Sequence, residues 1–392
     1  MSKKKTNQKR FVFFLCQYQD MSENKALKDQ FGQKMVQRIA KSLKTAWPQF
    51  NENRFQNSIL QDLPSAELIE RTWIVCRAMY DQLPTDFGTT ALHLKKAMDG
   101  YEKAVGQASL DGFYFMPFGN YVSKYGLEHF DLSMDLLNQI TRRFTSEFAI
   151  RSFLEKYPER TLQQLHEWCM DPDHHVRRLV SEGTRPRLPW AARLRAFQKD
   201  PEPVILLLEK LKEDPVLYVR RSVANNLNDI GKDHPERMLS VLKEWARSKN
   251  SGTQWIIKHA SRSLVKEGNS TALALLGFDP NIKVELLALQ VQEEVEMGGG
   301  LSFEFVLRSK ENVSKKIMVD FVVHYNKANG KQAPKVFKLK NVKIKPSEEM
   351  AFKKKISFRS ISTRKYYPGK HSIEIQVNGG RLGKKSFKLT IA

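Results

Sequence analysis

An array of helical repeats followed by an antiparallel β-sandwich is the fold class that this sequence predicts, and three observations carry it. A twelve-residue pattern recurs at an offset of 43, so that D-P-D-H-H-V-R-R-L-V-S-E from Asp171 aligns with D-P-V-L-Y-V-R-R-S-V-A-N from Asp214. Apolar residues recur at three and four up to about Leu276, then at two from Ile282 onward. The change falls at Asp279-Pro280, where proline discourages helix continuation. A repeat of that length with a D-P turn before a V-R-R helix is typical of HEAT-type arrays. About seven short strands over roughly 110 residues suit a sandwich of immunoglobulin size. The class is therefore multidomain α + β, a HEAT-like α-solenoid followed by an immunoglobulin-like β-sandwich. The expected divisions are a basic extension over 1–24, a HEAT-like-repeat domain over 25–278 and the sandwich over 281–392.

The extension holds Lys3-Lys4-Lys5 and Lys9-Arg10 ahead of an apolar run, Phe11 to Cys16, that is too short for a secretory signal. No run is long enough to span a membrane, so a cytoplasmic, nucleoid-associated protein is expected. Leu27, Phe31, Met35, Val36, Ile39 and Leu43 begin the helical pattern, and Pro48, Pro64 and Pro84 divide it. Phe113-Tyr114-Phe115-Met116-Pro117-Phe118 reads as core filling.

In the first repeat copy Val176, Leu179 and Val180 form a buried stripe, with Arg178 and Glu182 four apart on another face. Gly183 ends that helix, and two prolines stiffen the segment after it, Arg185-Pro186-Arg187-Leu188-Pro189-Trp190. In the second copy Val219, Val223, Leu227 and Ile230 pack while Arg221, Asn225 and Asp229 step along another side. A weaker third copy runs from Trp255 to Arg262. Beyond Asp279, Ile317, Val319, Phe321, Val323 and Tyr325 share one strand face, as do Ile373, Ile375 and Val377. Gly298-Gly299-Gly300, Asn329-Gly330 and Asn378-Gly379-Gly380 supply turns.

The 392 residues carry a formal net charge of +22, and 23 Lys and Arg against 10 Asp and Glu place +13 of it in 281–392. Such a balance points to a polyanion, nucleic acid first. Cys16, Cys76 and Cys169 lie far apart, with neither a C-x-x-C pair nor His at zinc spacing, so no metal or other cofactor is expected.

One concave wall could present Arg178, Glu182, Arg221, Asn225 and Asp229, joined by Glu147 and Arg151 from an earlier helix. Each pair alone reads as an ordinary helix ion pair. Together, three acids in a groove meant for a polyanion are counterproductive unless positive charge must be stabilised, as on a cationic base or an oxocarbenium-like sugar. Trp190 could stack on a nucleotide or anchor a core. Arg151, Arg177, Arg178, Arg185, Arg187, Arg220, Arg221, Asn225, Lys258 and Arg262 are the residues expected to meet DNA.

The runs T-S-E-F-A-I-R at Thr145, H-V-R-R-L-V-S-E-G-T-R-P-R-L-P-W-A at His175 and V-R-R-S-V-A-N-N-L-N-D-I-G-K-D-H-P at Val219 resemble AlkC-type DNA glycosylases. Y-N-K-A-N-G-K and Y-P-G-K-H-S-I-E-I-Q-V-N-G resemble their immunoglobulin-like domain, so the likeness spans about Asn24 to Ala392. It implies monofunctional excision of 3-methyladenine and 3-methylcytosine from double-stranded DNA, the first step of base excision repair, without conventional base flipping or lyase activity. By the same resemblance Glu147, Glu182 and Asp229 are the catalytic acids and Trp190 touches the lesion. Arg178, Arg185 and Arg221 would hold phosphates, and the protein would work as a monomer with no obligate protein partner. The rival reading is a non-catalytic HEAT-repeat protein that binds DNA or damaged DNA.

Overall fold

The computed structural model describes residues 27–107, 111–361 and 364–391. The expected basic extension lies outside them. Contacts divide the chain into two units. One holds the described residues up to His234 together with Asn250–Ile256, and the other holds Pro235–Lys249 and the described residues from Ile257 onward.

The first unit contains α1 (Gln33–Ala46), α2 (Glu52–Leu60), α3 (Leu68–Tyr80), α4 (Phe87–Val105), α5 (Met116–Tyr125) and α6 (Phe130–Thr141). These are followed by α7 (Ile150–Lys156), α8 (Pro158–Trp168), α9 (His174–Gly183), α10 (Arg195–Lys199), α11 (Glu202–Leu211) and α12 (Leu217–Ile230). Met35, Val36, Ile39 and Leu43 bury the expected stripe of α1. Phe113, Tyr114, Phe115 and Phe118 are core, with Tyr101 and Tyr114 stacked 3.8 Å apart. No described helix is long and apolar enough to cross a membrane.

The repeat at offset 43 is a pair of helix hairpins, α8–α9 and α11–α12, whose second helices pack on each other. Each D-P turn folds the same way. Asp171 Oδ1 accepts from Asp173 N at 2.8 Å, and Asp214 Oδ1 accepts from Val216 N at 2.8 Å. The first Arg of each V-R-R closes its own turn: Arg177 Nη1 donates to Asp171 O and Pro172 O at 2.8 and 3.1 Å, and Arg220 Nη1 donates to Asp214 O and Pro215 O at 2.6 and 2.7 Å. Arg177 Nε also reaches Asp214 Oδ2 at 2.6 Å, and Arg142 Nη2 reaches Asp171 Oδ2 at 3.0 Å, so each repeat is stapled to the next. Arg177 and Arg220 were expected to meet DNA, and the fold places both at their own D-P turns. Their guanidiniums are committed to turn carbonyls and, for Arg177, to a neighbouring carboxylate, a forked use that suits arginine.

The second unit contains α13 (Pro235–Trp245), the end of α14 (Ser251–Ala260), α15 (Arg262–Glu267) and α16 (Ser270–Leu275), then eight strands. These are β1 (Val284–Val291), β2 (Glu294–Glu296), β3 (Gly300–Ser309), β4 (Lys315–Asn326), β5 (Gln332–Ile344), β6 (Glu349–Ser357), β7 (Gly369–Val377) and β8 (Gly380–Thr390). They form two sheets, ordered β1-β3-β6 and β2-β8-β7-β4-β5. Ile317, Val319, Phe321 and Val323 of β4 and Ile373, Ile375 and Val377 of β7 face the shared core, as their period of two requires. The turn before β8 brings Gly379, at φ 83°, so near Gly268 that a Cβ would stand 2.4 Å from the Gly268 Cα; only glycine fits there.

The other face of β4 is buried as well, and there the alternation gave no warning. Met318, Asp320 and Val322 all lie out of solvent, with Asp320 3% exposed. Burial pushes the Asp320 carboxyl up to about 6, against the pull of Lys338, Lys266 and Arg381. A group that holds its proton more tightly when folded contributes stability fully below its unfolded pKa and loses it as pH rises through the folded one. At 1.36 kcal/mol per pKa unit the loss is about 3 kcal/mol between pH 4 and 7. Asp320→Asn is therefore expected to be more stable than the parent at pH 8, with the gap closing by pH 4. Urea titrations at both pH values measure it, and a pH-independent gap would refute it.

Candidate active site

Five residues from two helices and two loops form one line of alternating charge in the first unit. Glu147 lies just ahead of α7, Arg178 and Glu182 lie on α9, Arg185 lies in the loop after it, and Asp229 lies on the last turn of α12. Arg178 Nη1 is 2.6 Å from Glu147 Oε2, and its Nη2 is 3.4 Å from Glu182 Oε1. Arg185 Nη1 donates to Glu182 Oε1 at 2.6 Å, while its Nε and Nη2 stand 2.9 and 2.8 Å from Asp229 Oδ2. Lys232 ends the line, its Nζ 2.7 Å from Asp229 Oδ1. All five array residues are buried, whereas the Lys232 side chain is 42% exposed.

Two hydroxyls fix the acids further. Thr145 Oγ1 donates to Glu147 Oε2 at 2.9 Å and accepts from Arg178 Nη1 at 2.9 Å; Ser222 Oγ donates to Glu182 Oε2 at 2.6 Å. The environments drive the two glutamates apart. Burial raises the Glu147 pKa, with Arg178 opposing and the Glu182 charge adding to the rise. Burial acts on Glu182 in the same sense, but Arg178, Arg185 and the hydrogen bonds from Ser222 and Arg185 outweigh it and hold that carboxylate well below its usual range. A pair of carboxyls separated in this way can divide proton transfer and charge stabilisation between them.

The sequence singled out Arg178, Glu182 and Asp229 from helix spacing, and the fold joins them to Glu147 and Arg185. Arg178 and Arg185, expected at phosphates, are buried with their guanidiniums on the acids. Arg187 pairs with Asp233 through Nε at 2.9 Å from Oδ2. Arg221 and Asn225 are half-buried on α12, two turns and one turn ahead of Asp229; Lys258 is exposed and Arg262 half-buried in the second unit. Thr145, Ser222 and Lys232 were missed. Ser222 had a signal, since it puts a hydroxyl where the first repeat copy has Leu179.

Arg151, also expected at DNA, holds backbone carbonyls in this fold. Its buried guanidinium donates to Gly183 O and Arg185 O, both at 2.9 Å, and to Ala192 O, which fastens the Pro-rich loop to α7. Burial lowers its pKa to about 10, still leaving it charged at neutral pH. Arg151→Met strands three carbonyls, so a loss of about 3 kcal/mol in urea unfolding is expected, with Arg151→Lys recovering only part because an ammonium lacks the planar fork. Full stability in Arg151→Met would contradict this role. Trp190, at the end of the clamped loop, is half-buried and holds φ 68°, a left-handed backbone that costs a non-glycine residue about 1–2 kcal/mol.

One cluster among the described residues has metal-like spacing: Asp173, His174 and His175 offer donor atoms within 4.8 Å of one another. Asp173 Oδ1 already caps α9 by accepting from His175 N at 2.7 Å, and its Oδ2 lies 3.8 Å from Arg142 Nη1. The positive helix end there opposes a bound cation.

Residues 285–391 match the C-terminal Ig-like domain described for the uncharacterised protein YhaZ. YhaZ of Bacillus subtilis strain 168 is 36% identical over 355 residues, covering 90% of this chain and 96% of that protein. The structure of the Pseudomonas fluorescens alkylpurine DNA glycosylase AlkC, bound to DNA containing an abasic site analog, superposes with a TM-score of 0.87. It is 37% identical and covers 93% of this chain and 100% of that one. Fold and array thus define a helical-repeat protein with an immunoglobulin-like C-terminal domain. The chain belongs to the AlkC family of alkylpurine DNA glycosylases.

Proposed function

We propose that this protein is a monofunctional DNA glycosylase that hydrolyses the N-glycosidic bond of small cationic bases, 3-methyladenine and 3-methylcytosine, in duplex DNA. The observation that supports it is the array itself, in which three buried carboxyls, Glu147, Glu182 and Asp229, are held in fixed positions by two arginines. An alkylated base already carries positive charge and departs as a neutral molecule, so its leaving needs no general acid. The charge that develops on the deoxyribose is what must be met. Glu182, held ionised, is suited to be the fixed negative charge, and Asp229 extends it along the groove. Glu147, with the raised pKa, is suited to take the proton of the attacking water. The left-handed backbone at Trp190 sets the indole's direction for contact with the damaged nucleotide. The protein acts as a monomer on DNA, opening base excision repair without drawing the nucleotide into a deep pocket.

The test is chromatography of bases released from methylated duplex DNA. Release of 3-methyladenine and 3-methylcytosine with uncut strands is expected. Salt-sensitive DNA binding with no released base would instead establish the non-catalytic reading.

A further inference from the structure

One face of α12 meets the buried array residue by residue. Ser222 Oγ donates to Glu182 Oε2 at 2.6 Å, Asn226 Nδ2 donates to Ser181 O at 2.7 Å, and Asp229 Oδ2 accepts from Arg185 Nε at 2.9 Å. These positions step by four and then three along the helix, as side chains on one face must. One turn before Ser222 the same face carries Tyr218, half-buried, with its ring centroid 5.2 Å from the Arg178 guanidinium carbon. The others meet their partners through hydrogen bonds, whereas Tyr218 offers Arg178 the face of a ring.

Arg178 needs that face. Its Nη1 lies 2.6 Å from Glu147 Oε2 and 2.9 Å from Thr145 Oγ1, and its Nη2 lies 3.4 Å from Glu182 Oε1. A guanidinium donates in its own plane, so oxygens hold it by its edges. A ring over the cation adds attraction without taking up a donor, and that attraction is strongest where water is excluded. His175 holds the position in the first repeat copy that Tyr218 holds in the second, and the two ring centroids are 5.6 Å apart. Burial, joined by the charges of His174 and Arg178 against that of Asp173, pushes His175 down to about 4. It therefore brings no positive charge to this end of the array at neutral pH.

We propose that Tyr218 is a positioning residue for base release, its ring face holding the Arg178 guanidinium, and through it Glu147 and Glu182, where the reaction needs them. This rests on the glycosylase reading and extends it to an uncharged side chain outside the five array residues.

The test compares Tyr218→Phe, Tyr218→Leu and trifluorinated phenylalanine in place of Tyr218, all in the full chain. Fluorine draws negative charge away from the ring face and nearly keeps the ring's shape, so it separates attraction for the cation from packing. Single-turnover release of 3-methyladenine is expected to fall about tenfold from Tyr218→Phe to the trifluorinated ring, and about 30-fold in Tyr218→Leu. Tyr218→Phe should recover most of the rate that leucine loses, because it keeps the face. Affinity for duplex DNA should stay within about twofold throughout. Fluorination should also lower the urea midpoint when Arg178 is present and leave it unchanged in Arg178→Met. Equal rates for the plain and fluorinated rings, or a fluorination effect on the midpoint that persists in Arg178→Met, makes Tyr218 a packing residue and overturns the proposal. Affinity lost in step with rate makes it a DNA contact and overturns the proposal as well. A parent chain that releases no base overturns the glycosylase reading and this one with it, whereas release that no ring substitution alters overturns this one alone.

Discussion

Glu182→Gln is expected to lower release of 3-methyladenine by roughly 100- to 1,000-fold, the usual loss when one preorganised group facing transition-state charge is removed. The amide keeps the shape of the side chain and can still meet Ser222 Oγ and one arginine, so the packing of the array is preserved. What disappears is the negative charge between Arg178 and Arg185, which stand 3.4 and 2.6 Å from Glu182 Oε1. The deoxyribose would then develop positive charge beside two guanidiniums that keep only Glu147 and Asp229 as counter-charges. Ground-state affinity for duplex DNA should hold or tighten slightly, because a negative charge has left a surface that binds a polyanion. Single-turnover rates with a separate binding titration divide the two effects. Equal losses in rate and affinity would remove Glu182 from the chemistry and leave it a structural residue.

The period of the chain told which residues face inward and which share a wall, but not what each one touches. The 43-residue repeat gave the hairpins and singled out both arginines of V-R-R, yet only contacts across the repeat separate Arg177, stapled to the Asp214 turn, from Arg178, on Glu147. In sequence the two are adjacent and alike. Arg151 shows the same limit: its partners are backbone carbonyls 32 to 41 residues away, and a carbonyl leaves no mark in side-chain pattern. On the sandwich, alternation gave the inner face of β4 because that face is uniformly apolar. Asp320 broke no pattern as a polar outward residue, and its burial comes from what covers the sheet. Glu147, Glu182 and Asp229 drew attention in sequence for a physical reason, since acids four residues from arginine or asparagine are unexpected on a surface meant for phosphates.

Arg178→Met is expected to destabilise the first unit by about 3–5 kcal/mol, the cost of leaving a buried charge without its partner. Arg178 is 2% exposed and is the cation that answers the buried Glu147, so a thioether there removes the opposing charge and leaves only the Thr145 hydroxyl against burial and the Glu182 charge. Glu182 fares better because Arg185 and Ser222 remain. That asymmetry makes a double-mutant cycle decisive. Adding Glu147→Gln to Arg178→Met removes the stranded carboxyl, so the double variant should recover most of the lost stability, measured as the urea midpoint at constant slope. Base release should stay lost in both, because Glu147 contributes chemistry that glutamine cannot supply. Recovery of stability without recovery of activity separates what Arg178 does for the fold from what it holds in place for the reaction. If the double variant is no more stable than Arg178→Met, the two side chains are not coupled, and the array does not hold Glu147 through its charge.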